Sequence, residues 1–138
     1  MNQYSRRSLA HLMTCHPLLV QLFEAVLEEA DHTVICGHRG KIDQEAALAS
    51  RASRAKWGQS NHNFYPSLAV DVMPWPLDWN DMERLNAFSL VVRKHANRLG
   101  IKVRWGADWD QDGIPWEKDN WEIDGPHWEL VGIKGELP

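Results

Sequence analysis

The stretch Leu68-Ala69-Val70-Asp71-Val72-Met73 decides how this chain is read. Its alternation predicts a strand with Leu68, Val70 and Val72 on one face and Ala69, Asp71 and Met73 on the other. Asp71 therefore falls mid-strand between two valines, where a carboxylate is costly unless it is paired or bound to a metal. A second alternating stretch, residues 126–131, sets His127 and Glu129 on one face and Trp128 and Leu130 on the other. Between them, Asn80 with Glu83 forms a capping-box pattern for a long helix ending at Gly100, followed by a strand over 101–105 and a polar, aromatic loop over 106–124.

Towards the N-terminus, apolar residues at 18, 19, 22, 23, 26 and 27 predict a helix over 17–30, with Pro17 at the tolerated first turn. Residues 33–36 read as a short buried strand ending at Gly37. Residues 43–56 are Ala-rich with an acidic start and a basic end, a pattern that suits the helix dipole. Residues 58–66 read as loop. Helices and strands are mixed without regular βαβ alternation, so the expected class is α+β, a small antiparallel sheet packed against helices. With no repeat, low-complexity tract or linker, residues 1–138 are expected to form one domain, a helical segment of about 1–31 packing on the rest.

Composition narrows the function classes. The 138 residues are 43% hydrophobic and 25% charged, which excludes a disordered or collagen-like chain. A chain of this length hides roughly 68% of its unfolded surface, enough for a core without staples. No apolar run reaches the ~18–20 residues of a membrane span, so no membrane insertion is expected. The first twenty residues lack the apolar core and cleavage site of a secretory signal. Lys and Arg number 15 against 19 Asp and Glu, a net charge of -4, so the positive field that recruits nucleic acid is missing. Cys15 and Cys36 show no CxxC spacing and suggest a reduced, cytoplasmic setting.

His62, Asp71 and His127 come from one loop and two strands, and together supply two imidazoles and a carboxylate. Catalytic zinc uses such a three-residue set and leaves a fourth position for water. Asp124, three residues before His127, is suited to serve as general base for that water. Arg39, just beyond the strand over 33–36, stands where a guanidinium could polarise a carbonyl. Each residue also has a plainer account: Asp71 as an ion-paired or capping aspartate, His127 as an ordinary core or surface histidine. His11, His16, His32, His38 and His95 carry no signal beyond that.

Taken together, Ser60-Asn-His62 through Ala69-Val-Asp71, Trp105-Gly-Ala-Asp108-Trp and Asp124-Gly-Pro-His127-Trp-Glu-Leu resemble the VanY-type zinc peptidases. That group includes D-alanyl-D-alanine carboxypeptidases, the hedgehog signalling domain and phage L-alanyl-D-glutamate endolysins, and the likeness is greatest to the endolysins. It covers roughly residues 33–131. The resemblance implies a hedgehog-like fold in which His62, Asp71 and His127 hold one Zn²⁺, Asp124 is the catalytic base and proton donor, and Arg39 stabilises the oxyanion. Ser60 matches a serine that orients the first ligand or the substrate, and Gln44 a supportive glutamine in the following helix. It further implies a bacterial peptidoglycan substrate, cut at the L-alanyl-D-glutamate bond by a monomeric phage lysis enzyme that reaches the cell wall from the host cytoplasm. A D-alanyl-D-alanine carboxypeptidase and a metal-bearing binding module are the alternatives. One departure stands out. The family pattern H-x-x-G-x-A-x-D places the aspartate seven positions after the histidine, whereas His62 and Asp71 are nine apart, with Pro66-Ser67 in the glycine region. The insertion is expected to bulge the loop.

Three further features remain. Asp108-Trp-Asp110-Gln-Asp112-Gly113 copies the start of an EF-hand loop, a Ca²⁺ site in waiting, although its twelfth position is Asp119 rather than glutamate. The plainer account is a solvated acidic loop. Trp105 and Trp128 alternate as core residues, while Trp109, Trp116 and Trp121 lie in the loop over the proposed cleft and could touch substrate. Lys56, with Arg51 and Arg54, is basic and close in sequence to His62, so it could meet an acidic substrate or merely face water.

Overall fold

Helix α2 (Pro17–Glu29) forms where the apolar stripe requires it, burying Leu19, Leu22, Phe23, Val26 and Leu27. It packs on α4 (Met82–Leu99), and both cover one face of a four-stranded sheet in the computed structural model, which describes residues 1–117 and 123–138. The strands are β1 (His32–Cys36), β2 (Ala69–Pro74), β3 (Val103–Trp105) and β4 (His127–Leu130). Their order is β1-β2-β4-β3 and every pairing is antiparallel, the expected α+β class.

The helix-covered face carries Val70, Val72, Trp128 and Leu130 into one core with Leu22, Phe23, Val26 and Val92. Each such aliphatic side chain contributes roughly 1.5–3 kcal/mol by leaving water. Trp105 stacks on Trp128 with centroids 5.5 Å apart and planes 9° apart, so both are core residues as expected. Asp71, paired with His127 across β2 and β4, occupies the other face, with Glu129 beside it.

Several boundaries differ from the sequence expectation. Helix α1 (Arg6–Leu12) precedes α2, started by Ser5, whose Oγ accepts the Ser8 N–H. Only Ser8 and Leu12 of its seven residues are buried, too little to leave a stripe. The cap of α4 is Asp81, accepting from Arg84 N at 3.0 Å, rather than Asn80, and Gly100 ends the helix in the left-handed region at φ 70°. Helix α3 (Lys41–Ala49) stops well short of residue 56. Arg51 turns to φ 62° there, and Ser53 is drawn off the helix path because its hydroxyl takes the amide of the buried Gln44. Intrinsic helix propensity loses to that buried hydrogen bond.

Between the 3₁₀ turn Asn61–Asn63 and β2, Ser67 forms a bridge with Cys15, and the Leu68 N–H returns to Asn61 O at 3.0 Å, closing residues 61–68 into a loop. No described helix is long and apolar enough to cross a membrane.

Candidate active site

Asp71 lies at the centre of the sheet, and the neighbouring strands and the 3₁₀ turn bring other groups to it. His62 Nε2 is 3.1 Å and His127 Nδ1 3.3 Å from the same oxygen, Asp71 Oδ1. The two imidazole rings stand edge to face with centroids 5.0 Å apart. The three residues singled out from sequence thus converge, although they arise from a turn and two strands.

Both rings are fixed from behind. His62 Nδ1 donates to Gly37 O at 2.7 Å, which leaves Nε2 facing Asp71. His127 Nε2 meets Glu129 Oε1 at 2.8 Å, leaving Nδ1 for the site, and Glu129 Oε2 pairs with Arg104 at 2.6 Å. A partner on the far nitrogen that fixes tautomer and orientation is the usual support of a metal-binding histidine. Glycine is needed at Gly37, where a Cβ would stand 2.3 Å from His11 O and from Thr14 Oγ1. Ser60 caps the 3₁₀ turn, its Oγ accepting the His62 N–H at 3.2 Å.

Asp124 Oδ2 is 3.9 Å from His127 Nδ1. The backbone brings it there through Gly106, which accepts from Asp124 N at 2.8 Å and donates to His127 O at 2.7 Å. A Cβ on Gly106 would lie 2.2 Å from Asp124 O, so only glycine permits this approach. Arg39 Nη2 is 3.9 Å from Asp71 Oδ2, and its Nη1 donates to Gln44 Oε1 at 3.1 Å. Gln44 is fully buried and spends its remaining hydrogen bonds on Asn63, Ser53 and the Ala55 carbonyl, so Arg39 is held by a filled network.

The electrostatics follow from this crowding. Burial pushes the Asp71 carboxyl up, but the two imidazoles outweigh it and hold the group far below the usual carboxylate range. Burial would lower His62, yet Asp71 raises it well above an ordinary histidine. His127 is likewise carried to about 9, the bonds to Asp71 and Glu129 overcoming desolvation. Asp124 moves the other way from Asp71: desolvation between the cleft walls, then the Asp71 charge, raise it. Its side chain is still 48% exposed, so water screens much of that push. One carboxylate held ionised beside another of higher proton affinity is the arrangement that separates a ligand from a base.

Two groups of metal-ligating type overlap here. Asp71, Asp124 and His127 offer donor atoms within 4.8 Å of one another, and so do Cys36, His62 and Asp71. The two imidazoles and the carboxylate at the base of the site fit a divalent ion of borderline softness. The site opens into a cleft of about 560 Å³ whose walls include Arg51, Arg54, Trp79 and Trp109.

Other anticipated residues fall variously. Lys56 is exposed on the loop after α3, and from that segment Arg51 and Arg54 line the cleft. Trp109 packs its ring 5.2 Å from His127 and forms part of the cleft wall. Trp116 turns inward, edge-on to Trp105, with Nε1 donating to Asn86. Trp121 and Asp119 lie outside the described residues. Asp108, Asp110 and Asp112 do cluster, with Asp108 buried and its Oδ1 without a hydrogen-bond partner. Glu129, Arg104, Asn63 and Cys36 were given no role from sequence. For Glu129 the signal was present in its shared face with His127; for Cys36 there was none.

A fold of this kind has a solved counterpart in the Serratia marcescens L-Ala D-Glu endopeptidase ChiX. The two agree with a TM-score of 0.73 at 26% identity, over 93% of this chain and 89% of that one. Fold and likeness define a small α+β peptidase. The profile of the phage L-alanyl-D-glutamate peptidase family matches residues 1–131, and the chain belongs to that family. The L-alanyl-D-glutamate peptidase of Escherichia phage T5 is 30% identical over an alignment of 116 positions that covers 80% of this chain and 84% of that protein.

Proposed function

We propose that this chain is a zinc-dependent endopeptidase that hydrolyses the L-alanyl-D-glutamate bond of bacterial peptidoglycan stem peptides, as a phage lysis enzyme. The observation that carries it is the convergence of His62 Nε2 and His127 Nδ1 on Asp71 Oδ1, with Asp124 beside them in the cleft. The family membership supports the bond that is cut.

His62, Asp71 and His127 would hold the ion. Bound there, the ion would supply Lewis acidity, making the attacking water more acidic and polarising the scissile carbonyl. Asp124 takes the proton of the attacking water and later delivers it to the leaving amine. Its half-open position, facing both the cleft and His127, suits a group that must exchange a proton with each. Arg39, held by Gln44, offers its guanidinium to the oxygen on which charge develops. Trp109 covers His127 and keeps water off that side of the site.

The test is turbidity clearing of outer-membrane-stripped cells, with and without chelator, followed by mass spectrometry of the released fragments. Clearing that stops with chelator and returns with zinc, and fragments with new D-glutamate amino termini, are expected. Release of D-alanine alone, or clearing indifferent to chelator, overturns the reading.

The orphaned Asp108 Oδ1 supports a second ion, Ca²⁺, held with Asp110 and Asp112 in the loop beside the cleft. Activity and circular dichroism that fail to respond to millimolar calcium would remove it.

A further inference from the structure

Cys36 stands opposite Asp71 only because β1 is irregular. Val34 pairs with Val72, so regular alternation would set residue 35 against Asp71 and turn Cys36 to the core face with Val34. The register instead shifts between Val34 and Cys36, and Cys36 becomes the partner of Asp71. A bulge of this kind re-aims one side chain. The result is a row across three strands, Cys36–Asp71–His127, with His62 reaching over it from the 3₁₀ turn.

The thiol is part of the site by distance as well as by register. Its sulfur, a nitrogen of His62 and an oxygen of Asp71 all lie within 4.8 Å of one another. Two donors on one tetrahedral zinc are separated by about 3.5 Å, which lies inside the 4.8 Å span of this group. Arg39 Nη2 is 3.9 Å from the sulfur, so the thiol also borders the guanidinium that faces the site. Cys36 is half-buried, whereas Cys15 is enclosed in the core.

We propose that Cys36 is a fourth protein donor at the metal centre, its thiolate joining His62, Asp71 and His127 on a thiophilic divalent cation in a resting state and leaving that corner to water during hydrolysis. The inference rests on the metal reading given under Proposed function. Binding forms one metal–sulfur bond and releases the thiol proton to solvent. Hard ions with little affinity for sulfur leave the thiol unbound, while softer ions recruit it. The bulge thereby gives the site two coordination states, one with a water position and one without.

Cobalt(II) reports this directly, because a thiolate ligand adds a charge-transfer band in the near ultraviolet, beyond tryptophan absorption. The full chain is stripped with chelator, reloaded with one equivalent of Co²⁺ and compared with Cys36→Ser and Cys36→Ala, folding being checked by circular dichroism and cobalt content by elemental analysis. The band is expected in the parent and absent from both variants, each still holding close to one cobalt. Bound cobalt should also protect Cys36 of the parent from alkylation at least tenfold, as mapped by mass spectrometry. A parent protein that holds one cobalt without the band overturns the thiolate ligand alone, as does a band that survives in the variants. Failure of parent and variants alike to hold cobalt overturns the metal site itself and this inference with it.

Discussion

Asp71 shows how one residue's cost shapes its surroundings. A carboxylate between valines cannot stay unpartnered, and the chain meets it with two imidazoles and, further off, a guanidinium. Asp124 has the opposite character, half-open and with its pKa raised. Replacing Asp124 with Ala should leave metal content near one equivalent and lower kcat/KM by roughly 10²–10⁴, the usual worth of a general base. Loss of the metal in that variant would reassign Asp124 as a ligand, and near-normal turnover would end its role as base. Glu129 acts through His127. Glu129→Gln keeps the shape but removes the charge facing Nε2, and metal affinity measured by chelator competition should fall roughly 10–100-fold. Unchanged affinity would mean that the ring is held by packing alone. His62, Asp71 and His127 were legible because ligand chemistry and strand alternation are local. Gln44 was legible only as a match to a family position, since the hydrogen bonds that make it the brace of Arg39 come from residues up to 19 positions away.

Among elements, β1 carries a register shift that its sequence pattern does not show, and its first residue is as instructive as its last. His32 is buried against Tyr4, Phe23 and Phe88, with ring centroids 5.1, 5.8 and 5.2 Å away, tying the N-terminal segment, α2 and α4 to the sheet. Its Nδ1 donates to Ala30 O at 2.9 Å and its Nε2 faces the Tyr4 hydroxyl at 2.6 Å. Desolvation lowers its pKa from 6.5 to about 4. Between those values the unfolded chain carries the proton and the folded chain does not. The contribution of neutral His32 is therefore complete above pH 6.5 and is lost as pH falls to 4. Equilibrium unfolding of the parent against His32→Asn should show the parent losing about 3 kcal/mol more than the variant across that window. Parallel acid profiles would remove His32 as the cause. From sequence this histidine looked ordinary, because nothing local says that three aromatic rings from other elements will enclose it. The end of α3 was hidden for the same reason: residues 50–56 favour helix on their own, and only the buried Gln44 shows why they leave it.

For the whole molecule, the site couples fold stability to its ion, since the donors come from a turn and two strands that the unfolded chain does not hold together. A ligand at a thousandfold excess over its dissociation constant adds about 4 kcal/mol to the folded state, on the order of 10 °C for a chain of this size. Chelator should therefore lower the melting temperature by that order, and zinc should restore it; a midpoint indifferent to both would argue against a shared site. The sequence by itself determined the α+β class, the apolar faces of α2 and β2, and the donor types at 62, 71 and 127, because side-chain periodicity and ligand chemistry are written residue by residue. Tertiary structure alone decided that Cys36 faces Asp71, that Gly106 brings Asp124 to His127, that Arg104 pairs with Glu129 behind the ring, and that α3 ends at Ala49. Each of these depends on strand register or on a buried polar partner distant in the chain, and neither leaves a local mark.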